Sequence, residues 1–216
     1  MGLKLRILSI WTPSWFQRRG LNELAHQTTR GLEKLLDDQS DEISKSNTHI
    51  HNMVLKGNLD ERRQIMATTH NKLVETMINS MGREEAIKKG RKSMFNEGLS
   101  LGAKFKRILG VGDSLEDLFT AARILYNVLG IKFSIKEVEE GQNEKICMVV
   151  SHCTLAEYYT PDTCHVLSAA DEGVVQGLNP GVKIKFTKRI TEGCFECLAP
   201  IKIETISKSN GIILGD

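Results

Sequence analysis

The residues best suited to chemistry lie together near the C-terminal end. All five cysteines, Cys147, Cys153, Cys164, Cys194 and Cys197, fall in the last third of the 216-residue chain, with His152 and His165 among them. Thiolates attack electrophilic carbon and ligate metals, so a cluster of this kind suggests a site. Buried cysteine also serves as a small apolar side chain, and that is the plainer use for Cys147, centred in an apolar run. Cys194 and Cys197 have metal-knuckle spacing without a second pair, and Cys153 and Cys164 are too far apart in sequence to supply one. A zinc shell would draw on Cys153, Cys164, Cys194 and Cys197.

The elements that must position these residues can be read from their periodicity. Residues 131–139 and 145–153 alternate apolar and polar, with a hairpin turn at 140–143. Residues 182–190 and 195–204 read as two more strands. Simple alternation places Cys147, Val149, Ser151 and Cys153 on one face of their strand. It places Phe195, Cys197, Ala199, Ile201 and Ile203 on the apolar face of the last. Between the strand pairs, a helix begins after Thr160-Pro161. Its stripe of Cys164, Leu167, Ser168, Asp171, Val175 and Leu178 has core spacing. Asp171 is the anomaly in that stripe. A carboxylate in a core is costly unless it is hydrogen-bonded, paired with a cation or used. A bond to a threonine or to Arg189 would be a structural answer; a place beside the Cys153 and Cys197 thiols would be a chemical one. Glu172 is turned about 100° from Asp171 and is expected in solvent. Tyr158 and Tyr159 suit a pocket mouth or plain packing.

Upstream, residues 21–109 read as helical, broken at Gly57-Asn58 and at Met81-Gly82, with a further helix over 84–101. Ser114 and Asp117 open another helix that stops at Gly130. The fold class is α+β: a helical N-terminal region, 1–109, and an α-β-β-α-β-β domain with an antiparallel sheet, 110–216. His26, His49, His51 and His70 lie on polar helices and are expected in water. Met53, Leu55, Met66, Met77 and Met81 suit core packing, or a soft interface in a homodimer.

The order Cys153, Cys164, Ala-Asp171-Glu-Gly, Gly-Leu-Asn179-Pro180-Gly, Thr191-Glu-Gly193 and Cys197 resembles the L-2-amino-thiazoline-4-carboxylic acid hydrolase family over about residues 85–204. The resemblance implies hydrolytic opening of a small cyclic amidine-thioether carboxylic acid to a carbamoyl-cysteine. Cys153, Asp171 and Cys197 are the matched catalytic candidates. A thiolate, or a hydroxide on a metal held by the thiolates, would attack the C=N carbon. Asp171 would protonate the ring nitrogen or position water. Arg189, Lys188 or His152 would supply the nearby cation a thiolate needs. Cys194 is a departure from the family pattern. The element order also resembles 4-vinyl-reductase-type ligand-binding domains, which are similar in fold to vesicle-tethering subunits. Some of their regulator members carry a Cys-rich zinc site. That resemblance implies a non-catalytic sensor or carrier of a small molecule or metal.

Composition excludes some classes. With 29 basic and 27 acidic residues, the chain lacks the excess of positive charge that nucleic-acid binding requires. An odd number of cysteines and no recognisable signal peptide predict thiols in a cytoplasmic protein. Residues 1–20 hold both tryptophans and a basic end at Arg18-Arg19. They are too short and too interrupted to span a bilayer. They suit an arm packed on the body or on a second subunit, or an interfacial membrane contact.

Overall fold

A computed structural model describes residues 2–37, 53–140 and 143–204. His49, His51 and the centre of the expected hairpin, Gly141-Gln142, lie outside the described residues. Among the described residues, six α-helices, α1 (Leu3–Ile10), α2 (Ser14–Asp37), α3 (Leu59–Met81), α4 (Arg83–Leu109), α5 (Leu115–Leu129) and α6 (Pro161–Leu178), accompany four strands, β1 (Ile131–Glu140), β2 (Asn143–Cys153), β3 (Val182–Ile184) and β4 (Cys197–Ile203). The strands form an antiparallel sheet in the order β1-β2-β4-β3. The fold is α+β with a helical N-terminal part.

Local chemistry sets the helix ends. Asn58 and Glu61 form a reciprocal capping box at the start of α3. Ser114 caps α5 through the Asp117 N–H. Thr160 caps α6, with Pro161 preset for the first turn. α4 extends past the expected 101 to Leu109 and stops where Gly110 turns left-handed at φ 68°. Arg63 is buried; its guanidinium donates to the Asn127 and Val128 carbonyls, tying α3 to the C-terminal end of α5.

Two expected strands are shorter than periodicity suggested. The third ends at Ile184, and the chain makes only a single bridge, Lys188 to Leu198, before a 3-10 turn at Ile190–Glu192. Arg189 explains the departure: its side chain turns inward to Ser168 and the Phe186 carbonyl, which a regular ladder would not allow. The fourth strand starts at Cys197, and Phe195 is 95% exposed rather than on an inner face.

A seam of glycines joins α4 and α6. A Cβ on Gly98 would stand 2.0 Å from the Ala170 carbonyl oxygen, and one on Gly102 would stand 2.3 Å from that of Val174. From the other side, a Cβ on Gly173 or Gly177 would meet the backbone of Phe95 or Leu99. Only glycine permits this approach of backbone to backbone. The core runs from Leu5 and Leu21 through Leu118 and Leu125 to Met148, Val150 and Ala199. A second cluster, holding Leu73, Met77, Met94 and Val166, fills the space between α3, α4 and α6. Met53, Leu55, Met66 and Met77 are core residues.

Candidate functional site

β2 contains one extra residue opposite β1. Lys132 pairs with His152 and Phe133 with Val150, so Ser151 has no partner. The bulge corrects the face assignment made by simple alternation. Residues directly opposite each other share a face, so Cys153, opposite Ile131, lies on the side of Val150 and Phe133. Val150 in turn lies opposite Cys197. Cys147 and Val149 belong to the other face. Without the bulge, Cys153 would turn away from Cys197.

On that face, between the sheet and the helices α2, α3, α5 and α6, is a cavity of about 90 Å3. Cys153 and Cys197 line it from the sheet, and Cys164, Ser168 and Asp171 from α6. Cys194 is half-buried and is not part of this wall, and Cys147 is buried within the sheet. The five cysteines are not in disulfides. Among the described residues, no three His, Cys, Asp or Glu side chains stand close enough together to hold a metal. The side chains present therefore do not fit a zinc shell.

Asp171 retains some surface towards the cavity but is enclosed by protein. Burial first, and the neighbouring Glu172 charge second, push its carboxyl up to about 7. The Tyr126 hydroxyl works the other way. It is sealed from solvent without a hydrogen bond of normal geometry, yet it faces Asp171 closely enough to favour the ionised form. Burial also raises the thiols. Cys153 is pushed up to about 12 and Cys164 to about 11, despite a nearby Thr191 hydroxyl and the Arg189 charge beside Cys164. Cys197 is raised too, although the Ile190 N–H donates to its sulfur at 3.3 Å. At neutral pH the wall is thus three protonated thiols around a carboxyl poised to gain or lose a proton.

Arg189 does not bond Asp171. It is buried against Ser168 Oγ at 3.3 Å and reaches Glu192 at 3.3 Å. His152 and Lys188 are exposed. Glu172, expected in water, is buried instead: its two carboxylate oxygens both accept from Arg91 Nη2, at 2.8 and 3.0 Å, and one accepts the Phe186 N–H. α6 is buried nearly all round, so turning away from its apolar stripe does not lead to solvent.

His70 is the residue that sequence reasoning missed. It is 1% exposed and lines the cavity. Its Nδ1 lies 2.8 Å from the Tyr159 hydroxyl, and its Nε2 lies 3.0 Å from Thr28 Oγ1. Thr28 donates to the Leu24 carbonyl at 2.8 Å, so it accepts from Nε2–H, and Tyr159 then donates to Nδ1. Burial pushes His70 down to about 3, which keeps it neutral. The signal was present: Met66, His70, Leu73 and Met77 recur at helical core spacing. His26 is exposed, as its polar helix face suggested.

The sequence profile of the L-2-amino-thiazoline-4-carboxylic acid hydrolase family matches residues 62–199. The chain belongs to this family. The family span contains His70, Tyr126, Cys153, Tyr159, Asp171, Arg189 and Cys197, that is, most of the polar cavity wall. Helix α1 and the α2 residues Leu24 and Thr28 lie outside it. No curated protein matches the chain. Among solved structures, the chain is similar to a trafficking protein particle complex subunit 3 from Naegleria fowleri covalently bound to palmitic acid. The two are 14% identical with a TM-score of 0.51, over 66% of this chain and 95% of that one. It is also similar to the phenol-responsive sensory domain of the transcription activator PoxR with phenol, at 13% identity and a TM-score of 0.49, over 86% and 89% of the two chains. At these identities the chain shares a fold with the trafficking subunit, and no more than that follows.

Proposed function

We propose that this protein is a hydrolase of small cyclic thiazoline or amidine-type carboxylic acids, with its reaction in the cavity bounded by Cys153, Cys164, Asp171 and Cys197. The observation that carries this reading is the enclosed Asp171 carboxyl, which burial pushes up to about 7 in a mainly apolar cavity. A carboxyl of that kind works as both base and acid at physiological pH. Asp171 takes a proton from a water that adds to the C=N carbon and passes it to the ring nitrogen, leaving a hydroxyl-bearing carbon singly bonded to that nitrogen; it then carries the hydroxyl proton to the same nitrogen as the carbon–nitrogen bond breaks and the carbonyl forms. One water is consumed and a carbamoyl-cysteine is released. Cys153 and Cys197 flank the reacting carbon. Attack by a Cys153 thiolate would first need Asp171 to remove a proton that burial holds tightly, so water is the favoured nucleophile. The buried Arg189 charge is the group on this wall suited to the substrate carboxylate.

Incubation with L-2-amino-thiazoline-4-carboxylic acid, followed by mass spectrometry, tests this. The expected product is heavier than the substrate by one water, and Asp171→Asn lowers its rate by about a hundredfold or more. Full turnover in Asp171→Asn would overturn the assignment.

A binding-only reading rests on the same cavity and on fold likeness to a protein that holds palmitic acid. It makes the protein a carrier or sensor of a small apolar molecule. It predicts a ligand-induced rise in melting temperature without turnover.

A further inference from the structure

A second feature of the molecule is independent of the cavity. Of the large apolar side chains exposed among the described residues, five crowd into its first helical turns: Leu3, Ile7, Ile10, Trp11 and Trp15, each between 53% and 83% exposed. Leu3, Ile7 and Ile10 recur at i, i+4 and i+7, which is one stripe along α1, and Trp11 follows at its extended C-cap. The opposite side of α1 is anchored. Leu5 is fully buried in the core and Leu8 packs against it, so the helix cannot roll to hide its outer stripe. At about 100° per residue, Lys4 and Arg6 fall on the two flanks of the stripe. Arg18 and Arg19 add two further exposed cations at the start of α2. No acidic residue occurs before Glu23.

We infer that this face binds the surface of an anionic lipid bilayer. Isolated exposed apolar residues are ordinary, but a contiguous patch of this kind marks a contact surface. Its make-up fits a membrane interface. Tryptophan prefers the headgroup level, aliphatic side chains enter the acyl boundary, and arginine and lysine meet lipid phosphates. α1 is about 12 Å long and lies along the body. Among the described residues no helix is long and apolar enough to cross a membrane. This face therefore rests on the bilayer surface through the short helix α1. Acidic Glu116, across the groove beside Leu8 and Thr12, is offset there by Arg123, so the sign of the face remains positive.

The chain's two tryptophans are Trp11 and Trp15, so tryptophan emission, excited where tyrosine does not absorb, reports on this surface. The full-length protein is mixed with vesicles of phosphatidylcholine containing about 30% phosphatidylserine, and with pure phosphatidylcholine vesicles. The expected result is a blue shift and co-sedimentation with the anionic vesicles. Both should weaken several-fold as salt rises from about 0.1 M to about 0.5 M. The pair Ile10→Ser and Trp11→Ala should reduce partitioning by about tenfold or more. Arg18→Gln with Arg19→Gln should reduce it while leaving the far-ultraviolet circular dichroism unchanged, which guards against a folding artefact. The proposal fails if anionic vesicles produce neither shift nor sedimentation. It fails equally if the shift follows protein concentration without lipid, since a second copy of the chain would then cover the face.

Discussion

At the scale of the residue, Asp171 and His70 are buried titratable groups with opposite pH signatures. Asp171 titrates near 7 in the folded protein and at the ordinary carboxyl value, 3.8, when unfolded. Between those values the folded state holds a proton that the unfolded state has released, so stability falls as pH rises. The cost, up to about 4 kcal/mol, is fully present above pH 7. Asp171→Asn should therefore be more stable than the parent at pH 8 and lose that advantage by pH 4, as denaturant midpoints at the two pH values would show. His70 behaves in reverse. Its value falls from 6.5 to about 3 on folding, so the unfolded state takes up the extra proton as pH drops below 6.5. Stability is lost on that side, by up to about 5 kcal/mol. His70→Gln keeps a donor and an acceptor and should flatten the loss between pH 6 and 4 in the same measurement. Cys153→Ser separates the two nucleophiles. With water as nucleophile, turnover should persist within about tenfold; a covalent thiolate route would lose it altogether.

At the scale of the element, the glycine seam and the bulge in β2 do the positioning. Gly98→Ala sets a methyl 2.0 Å from the Ala170 carbonyl, a contact with backbone that no rotamer change relieves. It should destabilise by about 3 kcal/mol or more, read as a lowered melting temperature, whereas Gly82→Ala has open space around it and is limited to the strain of φ 81°. The sequence displayed much of this level. The order of helices and strands after residue 20, the cap at Ser114, the helix start after Thr160-Pro161 and the stripe that turns Asp171 inward were legible, whereas helix α1 within the expected arm was not. Other features were not. A bulge leaves no mark in a single strand, because the extra residue exists only relative to a partner strand. Cys153 was therefore assigned to the face of Cys147. Glu172 was misjudged because its cover, Arg91, comes from a helix 81 positions away. The spacing Gly98-x3-Gly102 opposite Gly173-x3-Gly177 was readable as a close crossing and was passed over.

At the scale of the whole molecule, the cavity and the apolar face of α1 lie on different parts of the chain, and only the cavity is mostly within the family span. The variants at Ile10 and Trp11 should therefore leave hydrolysis in free solution unchanged while reducing vesicle binding, and paired assays of the two would show it. The cavity, about 90 Å3, is smaller than the roughly 150 Å3 that accommodates benzene in an engineered core. The proposed substrate, a five-membered ring with its substituents, would have to widen it. The seam between α4 and α6 decides where. At Gly98, Gly102, Gly173 and Gly177 backbone rests on backbone, so the wall bearing Asp171 is mechanically stiff. The yielding parts are the side-chain-cushioned walls opposite, from α2 and the Cys153 edge of the sheet. A ligand entering this cavity therefore finds Asp171 and Cys164 fixed like an anvil on α6, and it is Cys153, on the sheet, that moves to meet it.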